Sequence, residues 1–220
     1  AATGYPHAVF YYNDKRFTQL SRRLHEMLGE MCFHGVTLSL QSENPETLKA
    51  IRRRNLTDEQ VVDALSWAKG LGLKTSTELI FGLPEETRES FMGLLDKCAR
   101  QGFDAINCYN LIIFDGIEMA RSTYRAEHEL RVKRRLIDNS ILELDGELVI
   151  ESEEIVTSSR SFSFADYRDF RAINMLVHAI FIEGFYRARF CEFVERGGSL
   201  TAALCDFLQP RLERDAVAAA

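Results

Sequence analysis

Glu78 is the side chain with the most chemistry to explain. It sits inside Leu73 to Phe81, an otherwise β-branched and apolar run. A carboxylate in such a strand is costly unless it is paired or hydrogen-bonded, so Glu78 needs a partner. An arginine in a structural ion pair and a ligand with hydroxyl or amine donors both satisfy that need, and the sequence leaves the two open. Gln41-Ser42 closes a second apolar run, Val36 to Leu40, with two side chains that both donate and accept hydrogen bonds. A third run carries Asn110, Ile112, Ile113 and Phe114 ahead of Asp115-Gly116. Arg52-Arg53-Arg54 supplies guanidinium groups that fit a carboxylate in a two-pronged contact, although a solvated charge run explains them equally. Tyr109 and Asn110 fit a cavity wall or a structural role.

Other constellations carry less. The five cysteines, Cys32, Cys98, Cys108, Cys191 and Cys205, include no Cys-x-x-Cys pair, and the five histidines show no metal spacing. Cys32 and His34 lack further ligands nearby, so the thiols read as buried or inert. Gly70-Leu71-Gly72 follows a helix pattern and precedes a strand, the reverse of a dinucleotide-binding turn, and reads as a helix stop. Lys74 is the one Schiff-base candidate, but it lies at the start of its strand.

The elements that must position these groups alternate. Ala8 to Tyr12 is a short β-rich run, and Asp14 to Met31 places Phe17, Leu20, Leu24, Met27 and Leu28 on one helical face. Val36 to Leu40 is a strand. Asn44-Pro45-Glu46 opens a short helix to about Arg53, and Thr57-Asp58-Glu59-Gln60 is a capping box for the next helix. Leu73 to Phe81 is a strand, Thr87 caps a helix that Gly102 stops, and Asp104 to Phe114 is a strand. Strands separated by helices imply parallel pairing with right-handed crossovers. Four such strands make half of a barrel. In folds of this kind chemistry collects at the carboxyl ends of the strands, where Gln41, Glu78 and Ile113 fall.

After about residue 125 the pattern changes. Arg121 to Arg135 reads as an exposed helical face, Leu148 to Val156 as one strand or paired strands, and Ala165 to Phe185 and Phe190 to Leu208 as helices. The expected organisation is therefore an α/β partial barrel over residues 1–125 and a mainly helical extension over 126–220. The composition is that of an ordinary globular protein, 46% hydrophobic and 27% charged, which excludes disordered, collagen-like and coiled-coil classes. With 27 basic and 33 acidic residues the formal charge is −6, so neither nucleic acid nor a membrane is the expected partner. The longest apolar stretch, Met175 to Ile182, is interrupted by His178, and Ala1 to Pro6 have neither the basic nor the apolar region of a signal peptide, so none is expected there. A cytoplasmic location follows as the expectation.

Two motifs in order are specific. Gln41-Ser42-Glu43-Asn44-Pro45-Glu46-Thr47-Leu48-Lys49-Ala50-Ile51-Arg52-Arg53, followed by Glu78-Leu79-Ile80-Phe81-Gly82-Leu83-Pro84-Glu85-Glu86-Thr87, resembles the second half of the radical SAM partial barrel. The likeness covers about residues 8 to 125. The tail, with Glu154-Ile155-Val156-Thr157 before an aromatic-rich helix, is more loosely similar to the cobalamin-dependent branch.

The resemblance implies a cofactor, S-adenosylmethionine, and roles for these side chains. Glu78 would accept from the ribose hydroxyls, Gln41 would lie near the ribose or methionyl group, and Arg53 would pair with the methionyl carboxylate. Ile80 would pack on adenine, the backbone at Ile112 and Ile113 would meet its edge, and Gly82 would allow close backbone approach. It also implies reductive cleavage at a [4Fe–4S] cluster to a 5′-deoxyadenosyl radical, used for hydrogen abstraction or methylation, with cobalamin a further candidate cofactor. The family's Cys-x-x-x-Cys-x-x-Cys and its cobalamin-ligand motif are not in these residues, and Asp115-Gly116-Ile117 stands where Pro-Gly-Thr is usual. The expectation is thus the carboxyl-terminal segment of such an enzyme, inactive alone, whose partners are a small-molecule or unknown substrate and the amino-terminal remainder of the barrel. The alternative is a non-catalytic scaffold half-barrel working with a partner chain.

Overall fold

Local sequence starts and stops the helices of the first half. The computed structural model describes residues 17–28 and 35–218. The expected strand at Ala8 to Tyr12 and the Cys32/His34 pair lie outside those residues. After α1 (Gln19–Leu28) and β1 (Val36–Gln41), Asn44 caps α2 (Pro45–Ala50) by accepting from the Glu46 N–H. Thr57 and Gln60 close a reciprocal capping box on α3 (Asp58–Gly70), and Gly72, at φ +69°, ends its last turn before β2 (Thr75–Phe81). Thr87 caps α4 (Arg88–Gln101), which stops at left-handed Gly102 ahead of β3 (Ala105–Asn110).

β1, β2 and β3 form one parallel sheet in sequence order. Side chains alternate across it. Leu38, Leu40, Leu79, Phe81 and Ile106 are buried with Val61, Leu65, Phe91 and Leu95 of the covering helices in a single apolar core. The opposite face carries Thr37, Ser39, Ser76, Glu78, Asn107 and Tyr109, which the register of Thr37 with Ser76 and Glu78 with Asn107 places side by side.

The expected fourth strand is divided. β3 ends at Asn110, and β4 (Ile112–Ile113) leaves the parallel sheet to pair antiparallel with β6 (Glu147–Ser158). Leu111 is the junction: its N–H donates to the Phe81 carbonyl at 2.8 Å, and its carbonyl accepts from the Val156 N–H at 3.0 Å.

The charged segment expected as a helical face is helical only over α5 (Ser122–Glu127). It continues as β5 (Arg131–Leu144), which pairs antiparallel with β6. The cause is cross-strand pairing. The register sets Arg135 opposite Glu153 and Arg134 opposite Glu154, and Arg135 Nε donates to Glu153 at 2.7 Å. A two-residue turn, Asp145-Gly146 with φ of 52° and 81°, joins the strands in the geometry that suits their twist. The extension is therefore a long hairpin followed by helices.

Those helices are α6 (Phe164–Phe181), α7 (Arg187–Glu195) and α8 (Leu200–Ala218). The single helix expected over Phe190 to Leu208 breaks at Gly197-Gly198. A Cβ on Gly198 would lie 2.3 Å from the Phe193 ring. Asp96 of α4 then accepts from Ser199 Oγ at 2.7 Å and from the Thr201 N–H at 2.9 Å, starting α8. Phe170 of α6 stacks on Phe81 at 4.2 Å between ring centres, so both halves of the chain share one core. Among the described residues no helix is long and apolar enough to cross a membrane.

Candidate functional site: the polar face of the parallel sheet

The polar face opens into a cavity of about 510 Å³ lined by Thr37, Ser76, Glu78, Asn107 and Tyr109, with Lys74, Asp104 and Arg187 toward the strand starts; of the expected site residues it takes in Glu78, and not Gln41, Arg53 or Ile80. Glu78 is half-buried there. Its partner is Ser39, whose Oγ donates to Glu78 Oε2 at 2.6 Å; among the described residues it forms no ion pair. One neutral donor leaves most of the carboxylate's accepting capacity directed at the cavity.

The end of β1 is shaped by backbone strain. Ser42 N–H donates to the Leu40 carbonyl at 2.7 Å across Gln41, whose φ is +60°. This is the rarer, strained form of the three-residue turn, and it coincides with a shift in register between Leu38 and Gln41. Strain of this kind gathers at ligand sites.

α2 ends so as to send one arginine back to the sheet. Arg52, at φ +52°, donates its N–H to the Lys49 carbonyl, and the Arg53 N–H donates to the Leu48 carbonyl at 2.8 Å. Arg53 is thereby folded under the helix: its guanidinium donates to the Ser39 carbonyl and to Asn55 Oδ1, the latter at 3.1 Å. Arg52 instead lies exposed and pairs with Glu118 at 2.9 Å. Ser39 thus bridges Arg53 and Glu78 through its carbonyl and its hydroxyl. Sequence reasoning passed over it; alternation inside β1 was the signal, since Thr37 and Ser39 are the polar positions of an apolar run.

Of the other expected residues, Ile80 lies two places beyond Glu78 on the same face, opposite Tyr109. Gly82 turns the chain at φ +92°. A Cβ there would meet Leu111 and Phe162 at an ordinary 3.5 Å, so conformation and not space requires glycine. Ile113 is not brought to this face by its side chain: it is 5% exposed, within the core, and registered with Glu154 of β6.

Two adjacent glutamates in the turn after β2 have opposite surroundings. Burial would raise the Glu85 carboxyl, but hydrogen bonds and charge from Arg160 and His128 outweigh it and hold it below its usual value. His128 Nδ1 lies 2.6 Å from Glu85 Oε1, and Arg160 Nε donates to Oε2 at 3.0 Å. Glu86 is 1% exposed, and desolvation pushes its carboxyl up despite hydrogen bonds from Ser42, Ser90 and the Thr87 backbone. Burial also pushes the Cys98 thiol up and the Cys108 thiol to about 12, which leaves both protonated and inert. Among the described residues no group of three or more His, Cys, Asp or Glu side chains is arranged to hold a metal ion.

The profile of the family described as the Radical SAM superfamily matches residues 4–98. Over this segment, which is under half of its length, the chain is similar to the radical SAM superfamily. The match spans Gln41, Arg53 and Glu78. Curated proteins similar to this chain include a tRNA-2-methylthio-N(6)-dimethylallyladenosine synthase of Desulfosudis oleivorans, 26% identical over 147 residues, 62% of this chain and 30% of the relative. A second is the ribosomal protein uS12 methylthiotransferase RimO of Herpetosiphon aurantiacus, 33% identical over 91 residues, 40% of this chain and 19% of the relative. The chain therefore spans under a third of the length of either. Among solved structures, the radical SAM enzyme coproporphyrinogen III oxidase (HemN) from Escherichia coli aligns with TM-score 0.40 and 25% identity over 51% of this chain and 25% of that one.

Proposed function

We propose that the polar face of the parallel sheet is part of an S-adenosylmethionine site, within a longer radical SAM enzyme. The observation that carries this reading is Glu78: a half-buried carboxylate with a serine hydroxyl for a partner, facing a cavity of about 510 Å³. A scaffold has no use for such a group, whereas a vicinal diol supplies the two donors it lacks.

The residues present fit the cofactor. Glu78 would receive the ribose hydroxyls, with Ser39 holding the carboxylate in place. Arg53 would meet the methionyl carboxylate, exchanging a neutral acceptor for a charged one. Gln41 would present its amide beside the ribose or methionyl group from its strained turn. Ile80 would lie against adenine, the backbone at Ile113 would meet the adenine edge, and Gly82 would turn the chain clear of it. When bound and reductively cleaved, the cofactor supplies a radical for hydrogen abstraction or methylation. The described residues offer no ligand set for an iron–sulfur cluster, so catalysis by this chain alone is not proposed.

Two charge-assisted contacts contribute about 1.5–3 kcal/mol each and adenine packing on Ile80 about 2 kcal/mol more, while ordering and association costs of at least ~4 kcal/mol offset most of that, which puts the tight limit near millimolar. The chain alone is therefore expected to bind S-adenosylmethionine at roughly millimolar Kd. Titration followed by backbone amide NMR should give saturable shifts at Ser39, Gln41, Glu78 and Ile80. Glu78→Gln should weaken binding about tenfold or more. Absence of saturable shifts, or unchanged affinity in that variant, would leave the face a scaffold surface.

A further inference from the structure

A second cavity adjoins the first. It measures about 390 Å³ and lies between β3 and α6, lined by Asn107 and Tyr109, which it shares with the Glu78 cavity, and by Arg171, Asn174, Met175 and His178. Those four α6 positions are spaced three, four and seven apart, so they form one stripe of the helix. The opposite stripe, Phe170, Ile173, Val177 and Ile180, is buried in the core. α6 therefore fastens by its apolar side and offers a wall of hydrogen-bonding groups alongside the proposed cofactor site.

The chemistry of that wall is one-sided. Among the described residues its lining holds one permanent cation, Arg171, a second nitrogen donor in His178, two amides and a phenol, and no carboxylate. Arg171 forms no ion pair among the described residues. Its Nη1 donates to Asn110 Oδ1 at 3.1 Å, a neutral acceptor, which turns the Asn110 amide so that Nδ2 is buried without a partner. His178 Nε2 lies 3.4 Å from Glu183, which is outside the lining. A planar guanidinium at the edge of a cavity, with no acid to neutralise it, matches the geometry of an oxyanion. Met175, 65% exposed, and the Tyr109 ring, 49% exposed, supply apolar surface beside it. The volume lies within the range of small-molecule sites.

We propose that the Arg171–Asn174–His178 stripe, with Asn107 and Tyr109, is the substrate-recognition wall. It takes a small molecule in which a carboxylate or phosphate is joined to an apolar or planar body. The oxyanion rests on Arg171 and the body extends past Tyr109 toward the Glu78 cavity. As a statement about substrate, this rests on the cofactor site proposed above.

The test uses the full 220-residue chain with benzoate, phenyl phosphate and uncharged methyl benzoate as probes, followed by NMR at the Arg171 Nε–H, the His178 ring and the Asn107 and Asn174 amides. Saturable shifts are expected from at least one anion at a Kd on the order of millimolar, and the tighter of the two identifies the oxyanion. Arg171→Gln should weaken that binding about fivefold or more, with partial recovery in Arg171→Lys, and methyl benzoate should give no comparable shift. Equal response to methyl benzoate, or indifference to Arg171→Gln in a variant with an unchanged amide spectrum, overturns the proposal. S-adenosylhomocysteine, titrated in parallel, separates the two readings. Its binding should fall with Glu78→Gln and hold with Arg171→Gln. Anion binding that behaves as expected without any nucleoside binding removes the cofactor reading and keeps an oxyanion site.

Discussion

The two faces of the parallel sheet are made by alternate residues of the same three strands, yet they answer to different demands. On the helix-covered face Phe81 is wholly buried, with Phe91, Phe162 and Phe170 around it at 5.3, 4.9 and 4.2 Å between ring centres. One residue back along β2 the cavity face carries Ile80 and, two further back, Glu78 with its serine. The first face supplies cohesion. The second gives up apolar burial and spends hydrogen-bonding groups on a cavity. A strand has period two, so one segment can serve both purposes without a change of fold.

Substitutions that break this contrast should do so by very different amounts. Phe81→Ala removes a ring from a packed aromatic cluster and should cost about 3–5 kcal/mol in urea or thermal unfolding. A loss below about 1 kcal/mol would mean that the cluster is loosely packed. Glu78→Gln, three positions away, should shift stability by less than about 1 kcal/mol, because the group stays polar and half-exposed. Its effect belongs to ligand affinity. If Glu78→Gln unfolded the chain as Phe81→Ala does, the acid would be structural and the site assignment would fail. Ser39→Ala falls between the two on the cavity face. It removes the hydroxyl from Glu78 and should cost about 1 kcal/mol, together with affinity for the nucleoside.

The smallest effects concern charge and sharpen the same contrast at the end of β2. Glu85 is held below its usual value near 4.5, so its contribution is present above that pH and is lost as pH falls through the lowered folded value. Glu86 is raised above 4.5, so the folded state binds the extra proton and stability declines as pH rises from 4.5 through the raised value. Unfolding followed from about pH 2 to 8 should therefore show Glu85→Gln less stable than the parent at neutral pH and converging with it below 4.5. Glu86→Gln should match the parent in acid and gain on it toward neutrality. The same sign for both variants would show that the turn does not separate the two environments.

Much of this arrangement was legible in the residues. Asn44, Thr57 and Thr87 cap helices through contacts no more than three positions away, and Gly72 and Gly102 stop them because left-handed backbone suits glycine. The acid in β2 stood out because nothing in a strand of that composition could satisfy it. The motif order from Gln41 to Thr87 then pointed to the superfamily whose profile matches residues 4–98. The hairpin was not legible in the same way. Leu144-Asp145-Gly146-Glu147 carried a turn signal, but the alternation of Arg131 to Arg135 with charge looks like any solvated surface until Glu153 and Glu154 are set opposite. Ser39 was missed because a small hydroxyl in a strand is unremarkable on its own. Its importance lies in what its two oxygens reach.

The sequence by itself determined the period, caps and stops of the α/β half and its resemblance to the radical SAM superfamily, because each rests on contacts within a few residues or on motif order. Tertiary structure alone decided which arginine of three folds back onto β1, and that Glu78 has the Ser39 hydroxyl beside it. It also decided that the chain leaves the parallel sheet at Leu111, and that α6 sets Arg171 and His178 on a wall shared with Asn107 and Tyr109. Each of these depends on side chains brought together across fourteen to more than sixty residues of chain. Such contacts form only once the core has fixed the register of strands and the roll of helices, which no local pattern specifies.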